Sequence, residues 1–309
     1  MKNKYSFIKN NLRQIILLSV LVITVFILIG VGKVSDKKEI RQSTLTKNNY
    51  DYSSISKIVA KAYYVYDIKE DKVLYSKNEN EGLPLASVTK LMTGLAVIKT
   101  LPEGTIVEIG QDAINQEGDS GLFVGEKWTL KNLLDFTLVT SSNDGIFALK
   151  KTLDEYLAIN NTNTIYLMNE LAVKMQLKNT LFLNESGLDM NQNISGAYSS
   201  AQDISKLLTY IIKNEPSMLQ DTIKENGVFV SEDGLKHSVK NTNTSVNKIP
   251  SLIGSKTGFT DLAGGNLAII FDAGLSHPIA IVVLGSTQEE RFSDVEKLIK
   301  LTLQKISEF

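Results

Sequence analysis

The order of local patterns along this chain leaves little choice of architecture. Near the start of its folded part, Ala62-Tyr63-Tyr64-Val65-Tyr66-Asp67 and Val73-Leu74-Tyr75-Ser76 flank the polar turn Lys69-Glu70-Asp71-Lys72, which predicts a β-hairpin. Near the end, Lys256 to Thr260, Leu267 to Phe271 and Ile279 to Leu284 read as strands separated by turns containing Gly or Pro, and the texture is already β-like from Val228. The middle is helical. Leu130 to Thr140, with Thr129 as a cap, Ile146 to Leu157, Ile165 to Met175 and Ala201 to Lys213 carry helical periodicity. Ser200 and Asp203 resemble a capping box with a shortened acid. Ser293-Asp294-Val295-Glu296 is predicted to open a final helix whose apolar side covers a sheet face. The expected fold is therefore α/β in the α+β sense: an antiparallel sheet formed from both ends of the domain, with helices on its faces and a helical insertion.

Only part of the chain belongs to that domain. Ile15 to Gly32 is almost wholly apolar and long enough to cross a bilayer, and Lys2, Lys4, Lys9 and Arg13 precede it. We expect residues 1–14 as a cytoplasmic basic leader, 15–32 as an uncleaved single-pass signal anchor, 33–57 as a flexible polar linker and 58–309 as an extracytoplasmic catalytic domain. Residues 58–309 suffice for one large domain or two intimately packed ones. A net charge of −1 without basic clusters gives no footprint for nucleic acid. The sequence has no cysteine and two histidines, His237 and His277, so thiolate chemistry is excluded and no metal or other cofactor is expected.

Chemistry enters at Leu83-Pro84-Leu85-Ala86-Ser87-Val88-Thr89-Lys90-Leu91-Met92-Thr93. Pro84 punctuates the chain, and Leu91, Leu95 and Ile98 recur at helical spacing, which places Ser87 near a helix N-terminus. Lys90, three residues on, shares its face. A desolvated lysine can take the proton of a serine hydroxyl, and free N–H groups at the helix start suit an oxyanion. The spacing alone carries no weight, because Ser6–Lys9, Ser35–Lys38, Ser54–Lys57 and Ser245–Lys248 repeat it. Two further clusters supply the context. Ser141-Ser142-Asn143 falls in a break between helices, and Gly254-Ser255-Lys256-Thr257-Gly258-Phe259-Thr260 falls on an expected edge strand. There Lys256 offers a charge, Thr257 a hydroxyl, and Gly258 a close approach to the backbone.

The ordered set Ser-x-x-Lys, Ser-x-Asn, Lys-Thr-Gly resembles that of active-site-serine enzymes acting on peptidoglycan and β-lactams. The chain as a whole is similar to the D-alanyl-D-alanine carboxypeptidases, low-molecular-weight penicillin-binding proteins with a β-lactamase-like fold. Beyond the three motifs, Gly125-Glu126, Leu133-Leu134, Phe182, Asn184, Gly187-Leu188, Tyr198-Ser199-Ser200-Ala201-Gln202-Asp203 and Asn241-Thr242-Asn243 carry the resemblance. It implies Ser87 as the nucleophile, Lys90 as its base and Ser141 as proton relay to the leaving amine. It implies Asn143 as holder of the substrate amide and orienter of Lys90, Lys256 and Thr257 as binders of the terminal carboxylate, Gly258 as a further substrate-binding position, and the backbone N–H groups of Ser87 and Phe259 as the oxyanion hole. The implied partners are the peptidoglycan stem peptide and β-lactam antibiotics. Ser142 stands where the family commonly has Ala or Gly, and Gly145 follows Asp144. The chain also ends soon after the last motif, where many members add a β domain and an amphipathic anchor, and Ile15–Gly32 is expected to substitute.

Three other readings compete. A serine β-lactamase shares the motifs and needs a carboxylate that activates water, for which Glu185 is the candidate. A non-catalytic penicillin-binding sensor needs a signalling domain, and the leader before the anchor is short. Gly118-Asp119-Ser120-Gly121 imitates the nucleophile segment of trypsin-like proteases, whose histidine base precedes the serine; here the first histidine is His237, and that reading fails. His237, His277 and Trp128 are expected to be structural.

Overall fold

The protein is described by a computed structural model over residues 57–307. The expected leader, the anchor and nearly all of the linker lie outside these residues. Among the described residues no helix is long and apolar enough to cross a membrane.

In chain order the elements are β1 (Ala62–Asp67), β2 (Lys72–Lys77), β3 (Leu83–Pro84), a 3-10 turn (Ala86–Thr89), α1 (Lys90–Thr100), β4 (Ile106–Glu108), α2 (Gln111–Ile114), β5 (Lys127–Thr129), α3 (Leu130–Thr140) and α4 (Asn143–Leu157). Then come α5 (Thr164–Lys174), β6 (Leu181–Phe182), β7 (Ala197–Ser199), α6 (Ala201–Asn214), β8 (Asn226–Val230), β9 (Lys236–Lys240), β10 (Leu252–Thr260), β11 (Gly264–Asp272), β12 (Pro278–Ser286) and α7 (Glu290–Ile306). The main sheet runs β10-β11-β12-β1-β2, antiparallel throughout, so the last three strands join the first two as expected from the sequence. β11 and β12 are buried on both faces, which explains why they read as continuous apolar runs rather than alternating ones.

One face of the sheet packs against α6 and the helical insertion, through Tyr64, Ala268, Ile270, Ala280 and Val282. The other is covered by α7, whose Val295, Leu298 and Ile299 meet Tyr63, Leu267, Ile269 and Ile281. Within the insertion, Leu91, Met92, Leu95, Ala96 and Val97 of α1 are all fully buried, so this helix is apolar nearly all round because it runs through the core.

Ser87 stands near the start of α1 as expected, in the 3-10 turn just before it, and Ala86 is left-handed at φ 48°. Two boundaries differ from the sequence reading, each through a local hydrogen bond. α4 begins at Asn143 rather than Ile146, because Ser142 Oγ accepts from Gly145 N at 2.8 Å and caps it. α7 begins at Glu290, so Ser293 is no cap. Thr287 Oγ1 accepts from Glu290 N at 3.0 Å and starts the helix earlier, while Ser293 Oγ donates back to Glu290 O. Two caps stand where expected: Thr129 Oγ1 accepts from Asn132 N, and Ser200 Oγ from Asp203 N. The Asp203 carboxylate does not close the box; it accepts from Asn179 N and Thr180 Oγ1 instead.

Candidate active site

The three motifs meet where the edge strand β10 passes the turn that carries Ser87. What allows the passage is Gly258: a Cβ there would lie 2.7 Å from Leu85 O and 3.1 Å from Ser87 N. From β11, Asn266 Nδ2 donates to Pro84 O and Leu85 O at 2.9 and 3.0 Å, which fixes the approach to Ser87 against the sheet. On the other side Gly187, at φ 78°, abuts Ala86 O so closely that a Cβ would lie 1.9 Å away.

Lys90 is fully buried, and its Nζ has three neighbours: Ser87 Oγ at 2.7 Å, Asn143 Oδ1 at 2.7 Å and Ser186 O at 3.3 Å. Two of these, an amide oxygen and a peptide carbonyl, can only accept. A neutral amine gives each one N–H and keeps its lone pair for the third partner, the Ser87 hydroxyl. Burial makes that neutral form accessible by lowering the Lys90 pKa to about 7, against the opposing pull of Glu185 and Asp144.

Ser141 ends α3 in the left-handed conformation at φ 62°, which turns it out of the helix. Its Oγ accepts from Lys256 Nζ at 2.8 Å, and Lys256 also donates to Thr257 O at 2.8 Å. Lys256 is 1% exposed, and burial first, then the charges of Lys90 and Arg291, hold its pKa well below the usual lysine value. Thr257 Oγ1 is 2.7 Å from Thr242 Oγ1. Phe259, by contrast, is 43% exposed at the mouth of the site. The structure thus brings Ser87, Lys90, Ser141, Asn143, Lys256, Thr257, Gly258 and Phe259 to one place.

Several residues that the motifs omit hold these in position. Asn143 Nδ2 donates to Glu117 O at 2.7 Å. Ser120 Oγ lies 2.6 Å from Ser142 Oγ and donates to Asp144 Oδ2 at 2.9 Å, so the loop carrying the protease-like Gly-Asp-Ser-Gly stretch is anchored beside the site. Both departures from the family pattern find a use here. Ser142 caps α4, and Gly145 leaves room for Thr137 Oγ1, which a Cβ would approach to 2.2 Å. Arg291 Nη1 donates to Gly258 O at 2.8 Å from α7. No sequence spacing marks Arg291, since it comes from a helix that packs behind the sheet. Glu185 is nearly buried, and its backbone oxygen accepts from Thr93 Oγ1 at 2.7 Å.

The remaining sequence candidates are structural. His237 Nε2 is 2.5 Å from Glu126 Oε1, inside a cluster of Trp128, Phe136 and Phe123 rings. His277 Nε2 lies 2.8 Å from the Asp67 carboxylate.

Ser87 beside the buried Lys90, a second buried lysine on an edge strand and the Ser141 hydroxyl bonded to that lysine form the arrangement expected of the active-site-serine penicillin-binding fold. Comparison with known proteins narrows this further. Residues 47–288 match the family described as D-alanyl-D-alanine carboxypeptidase, and the chain belongs to it. It is 32% identical over 248 residues to D-alanyl-D-alanine carboxypeptidase DacF of Bacillus subtilis, an alignment covering 78% of this chain and 61% of that protein. Over 243 residues it is 30% identical to a D-alanyl-D-alanine endopeptidase of Pseudomonas aeruginosa, covering 76% of this chain and 74% of the relative. It spans about three fifths of the length of most of the curated relatives it matches. A penicillin-binding protein of Listeria monocytogenes in its ampicillin-bound form superposes with a TM-score of 0.65 at 28% identity, covering 79% of this chain and 97% of that one. A DD-transpeptidase of Streptomyces does so with a TM-score of 0.69 at 25% identity, covering 80% and 98%.

Proposed function

We propose that the protein removes the terminal D-alanine from peptidoglycan stem peptides by way of an acyl-enzyme on Ser87, and that β-lactams acylate the same residue. The observation that carries this reading is the fully buried Lys90, whose Nζ lies 2.7 Å from Ser87 Oγ: in its neutral form Asn143 Oδ1 and Ser186 O take its two N–H groups and its lone pair is free for the Ser87 hydroxyl. Ser87 attacks the carbonyl of the penultimate D-alanine while Lys90 takes its proton. The N–H groups of Ser87 and Phe259 stabilise the oxyanion. Ser141, linked to Lys256, passes a proton to the departing amine. Asn143 orients Lys90 and meets the substrate amide, while Lys256, Thr257 and the open backbone at Gly258 receive the terminal carboxylate. Water then hydrolyses the ester. The membrane segment expected at 15–32 would hold this domain outside the cytoplasm, near the polymer.

The test follows free D-alanine from a D-Ala-D-Ala-terminated pentapeptide, and the mass of the adduct formed with a fluorescent penicillin, in wild type and Ser87→Ala. A persistent adduct with D-alanine release supports the reading. Rapid penicillin turnover without D-alanine release would replace it with a β-lactamase, with Glu185 as the residue to mutate. Labelling with no turnover of either kind would indicate a sensor. Activity surviving in Ser87→Ala would overturn the assignment of the nucleophile.

A further inference from the structure

Loop 184–189 touches the catalytic lysine with one part and the end of the catalytic strand with another, and the proposed reaction leaves the second contact without a role. Asn184 braces the loop from within: its Oδ1 accepts from Gly187 N at 2.7 Å and its Nδ2 donates to Leu188 O at 2.9 Å. At the near end Ser186 O accepts from Lys90 Nζ, and Gly187 packs against Ala86 O. At the far end the half-buried Asp189 carboxylate grips the turn that joins β10 to β11. Its Oδ1 accepts from Thr260 Oγ1 at 3.0 Å and its Oδ2 from Leu262 N at 3.1 Å, while Thr260 Oγ1 itself accepts from Ala263 N at 3.2 Å.

Strand parity shows what this grip positions. Ser255 N–H points away from β11 and donates to Thr222 Oγ1 at 3.0 Å. Backbone groups alternate in direction along a strand, so the N–H groups of Thr257 and Phe259 also point off the open edge of β10, the edge that runs past Ser87. Phe259 is the last residue but one of β10, and both of its neighbours are tied by charged side chains from elsewhere in the chain. Arg291 Nη1 of α7 donates to Gly258 O, and Asp189 holds Thr260.

Resting on the proposed function, in which the Phe259 N–H stabilises the oxyanion, we infer that Asp189 is a positioning residue for that donor. It acts through Thr260 to keep the N–H in line with the carbonyl that Ser87 attacks. A preorganised donor acts on the charge that develops in the transition state, and removing one outright costs about 10²–10³ in rate. Loosening the strand end that carries it is a smaller perturbation of the same kind. The terminal carboxylate is received by Lys256 and Thr257, further inside the strand, so substrate binding does not depend on the grip. The loss should therefore fall on kcat and spare KM.

The test measures D-alanine release from a D-Ala-D-Ala-terminated pentapeptide by the full-length protein, with rates expressed per site that a penicillin labels, so that misfolded molecules do not count. A second readout is affinity for a peptide boronic acid, which forms a tetrahedral anion on Ser87 and has no terminal carboxylate. Asp189→Ala should lower kcat about tenfold and weaken the boronic acid about tenfold, with KM within about twofold of wild type. Thr260→Val should do the same about fivefold, and Thr260→Ser, which keeps the hydroxyl, should restore both readouts. The double variant Asp189→Ala/Thr260→Val should be no worse than Asp189→Ala alone, because the two residues act along one path. An unchanged kcat per site, a loss confined to KM, an unchanged boronic acid affinity, or losses that multiply in the double variant would each overturn the proposal. If Asp189→Ala fails to fold, the Thr260 pair decides: equal rates for Thr260→Val and wild type would overturn it. An active wild type with unaffected variants would sink this inference alone, whereas a wild type that releases no D-alanine would sink the proposed function and this inference with it.

Discussion

The charge state of Lys90 gives the sharpest test of the mechanism. An ordinary lysine with a pKa of 10.5 is neutral in about one molecule in 3,000 at pH 7, whereas one lowered to about 7 is neutral in about half. The shift corresponds to about 5 kcal/mol, taken from the burial of a fully enclosed ammonium. If the neutral amine is the base, acylation by a fluorescent penicillin must follow its population. The second-order rate constant at low drug concentration, which reports the free enzyme, should rise through a midpoint near pH 7 and grow about tenfold between pH 6 and pH 8.

The two carboxylates beside Lys90 oppose the shift, which fixes the sign of a second effect. Asp144 and Glu185 favour the ammonium, so removing either charge lowers the Lys90 pKa and moves the midpoint to lower pH. A unit charge about 10 Å away at an effective dielectric of about 20 is worth about 1.7 kcal/mol, or about one pH unit. The charge of Lys90 in turn lowers the pKa of Lys256. Asp144→Asn weakens the Ser120 anchor as well, so Glu185→Gln is the cleaner of the two. Stopped-flow acylation between pH 5.5 and 9 reads all three midpoints. A flat profile, a midpoint near 10, or an upward shift in both variants would refute the neutral-lysine mechanism.

Three further outcomes follow from the geometry. Ser142→Ala removes the cap from α4 and a partner from Ser120, and should cost about 1 kcal/mol in thermal or denaturant unfolding while leaving penicillin labelling within a few fold. Gly258→Ala places a methyl group against Leu85 O and Ser87 N, and should lower the acylation rate more than tenfold without loss of the folded state by circular dichroism. Global stability should climb as pH rises from 7 to 9. In that range the unfolded chain still binds protons at Lys90 and Lys256, while the folded pKa of each is depressed, so the folded state gains as protons leave. Denaturant midpoints that fall over this range would contradict the burial of two uncharged lysines.

Patterns with a short period were readable from the sequence, and contacts across the fold were not. The hairpin at one end and the three strands at the other announced a sheet closed from both termini, because strand texture needs only alternation and turns. Ser87 and Lys90 were legible as a pair, and the two other motifs as clusters. The left-handed Ala86, the donation from Arg291 to Gly258 O and the Ser120–Ser142–Asp144 network were not, since each depends on which distant backbone passes nearby. The start of α7 was misread for a more local reason. Thr287-Gln288-Glu289-Glu290 and Ser293-Asp294-Val295-Glu296 both look like capping boxes, and the hydroxyl half of the earlier one forms just where β12 ends, while the Glu290 carboxylate accepts from Ser293 Oγ.

The pairing of two buried lysines suggests how substrate could set the protonation state that the reaction needs. The charges of Lys90 and Arg291 both oppose a charged Lys256, and by the symmetry of the Coulomb term a charged Lys256 opposes a charged Lys90. With the site empty, the cost of burial therefore falls on both. Under the proposed reaction the terminal carboxylate of the stem peptide comes to rest beside Lys256 and Thr257. A negative charge there favours the Lys256 ammonium. The proton so retained places a full positive charge near Lys90 and pushes its pKa further down, toward the neutral base. The carboxylate itself acts on Lys90 in the opposite sense, but from beyond Lys256 and so from a greater distance. Binding and activation would then be one electrostatic event. A penicillin, which also brings a carboxylate, should acylate faster than a neutral ester of the same drug. The gap should narrow above pH 8, where Lys90 is already neutral without help. Equal pH profiles for the acid and its ester would show that the two lysines titrate independently, and the coupling argued from their burial would fall.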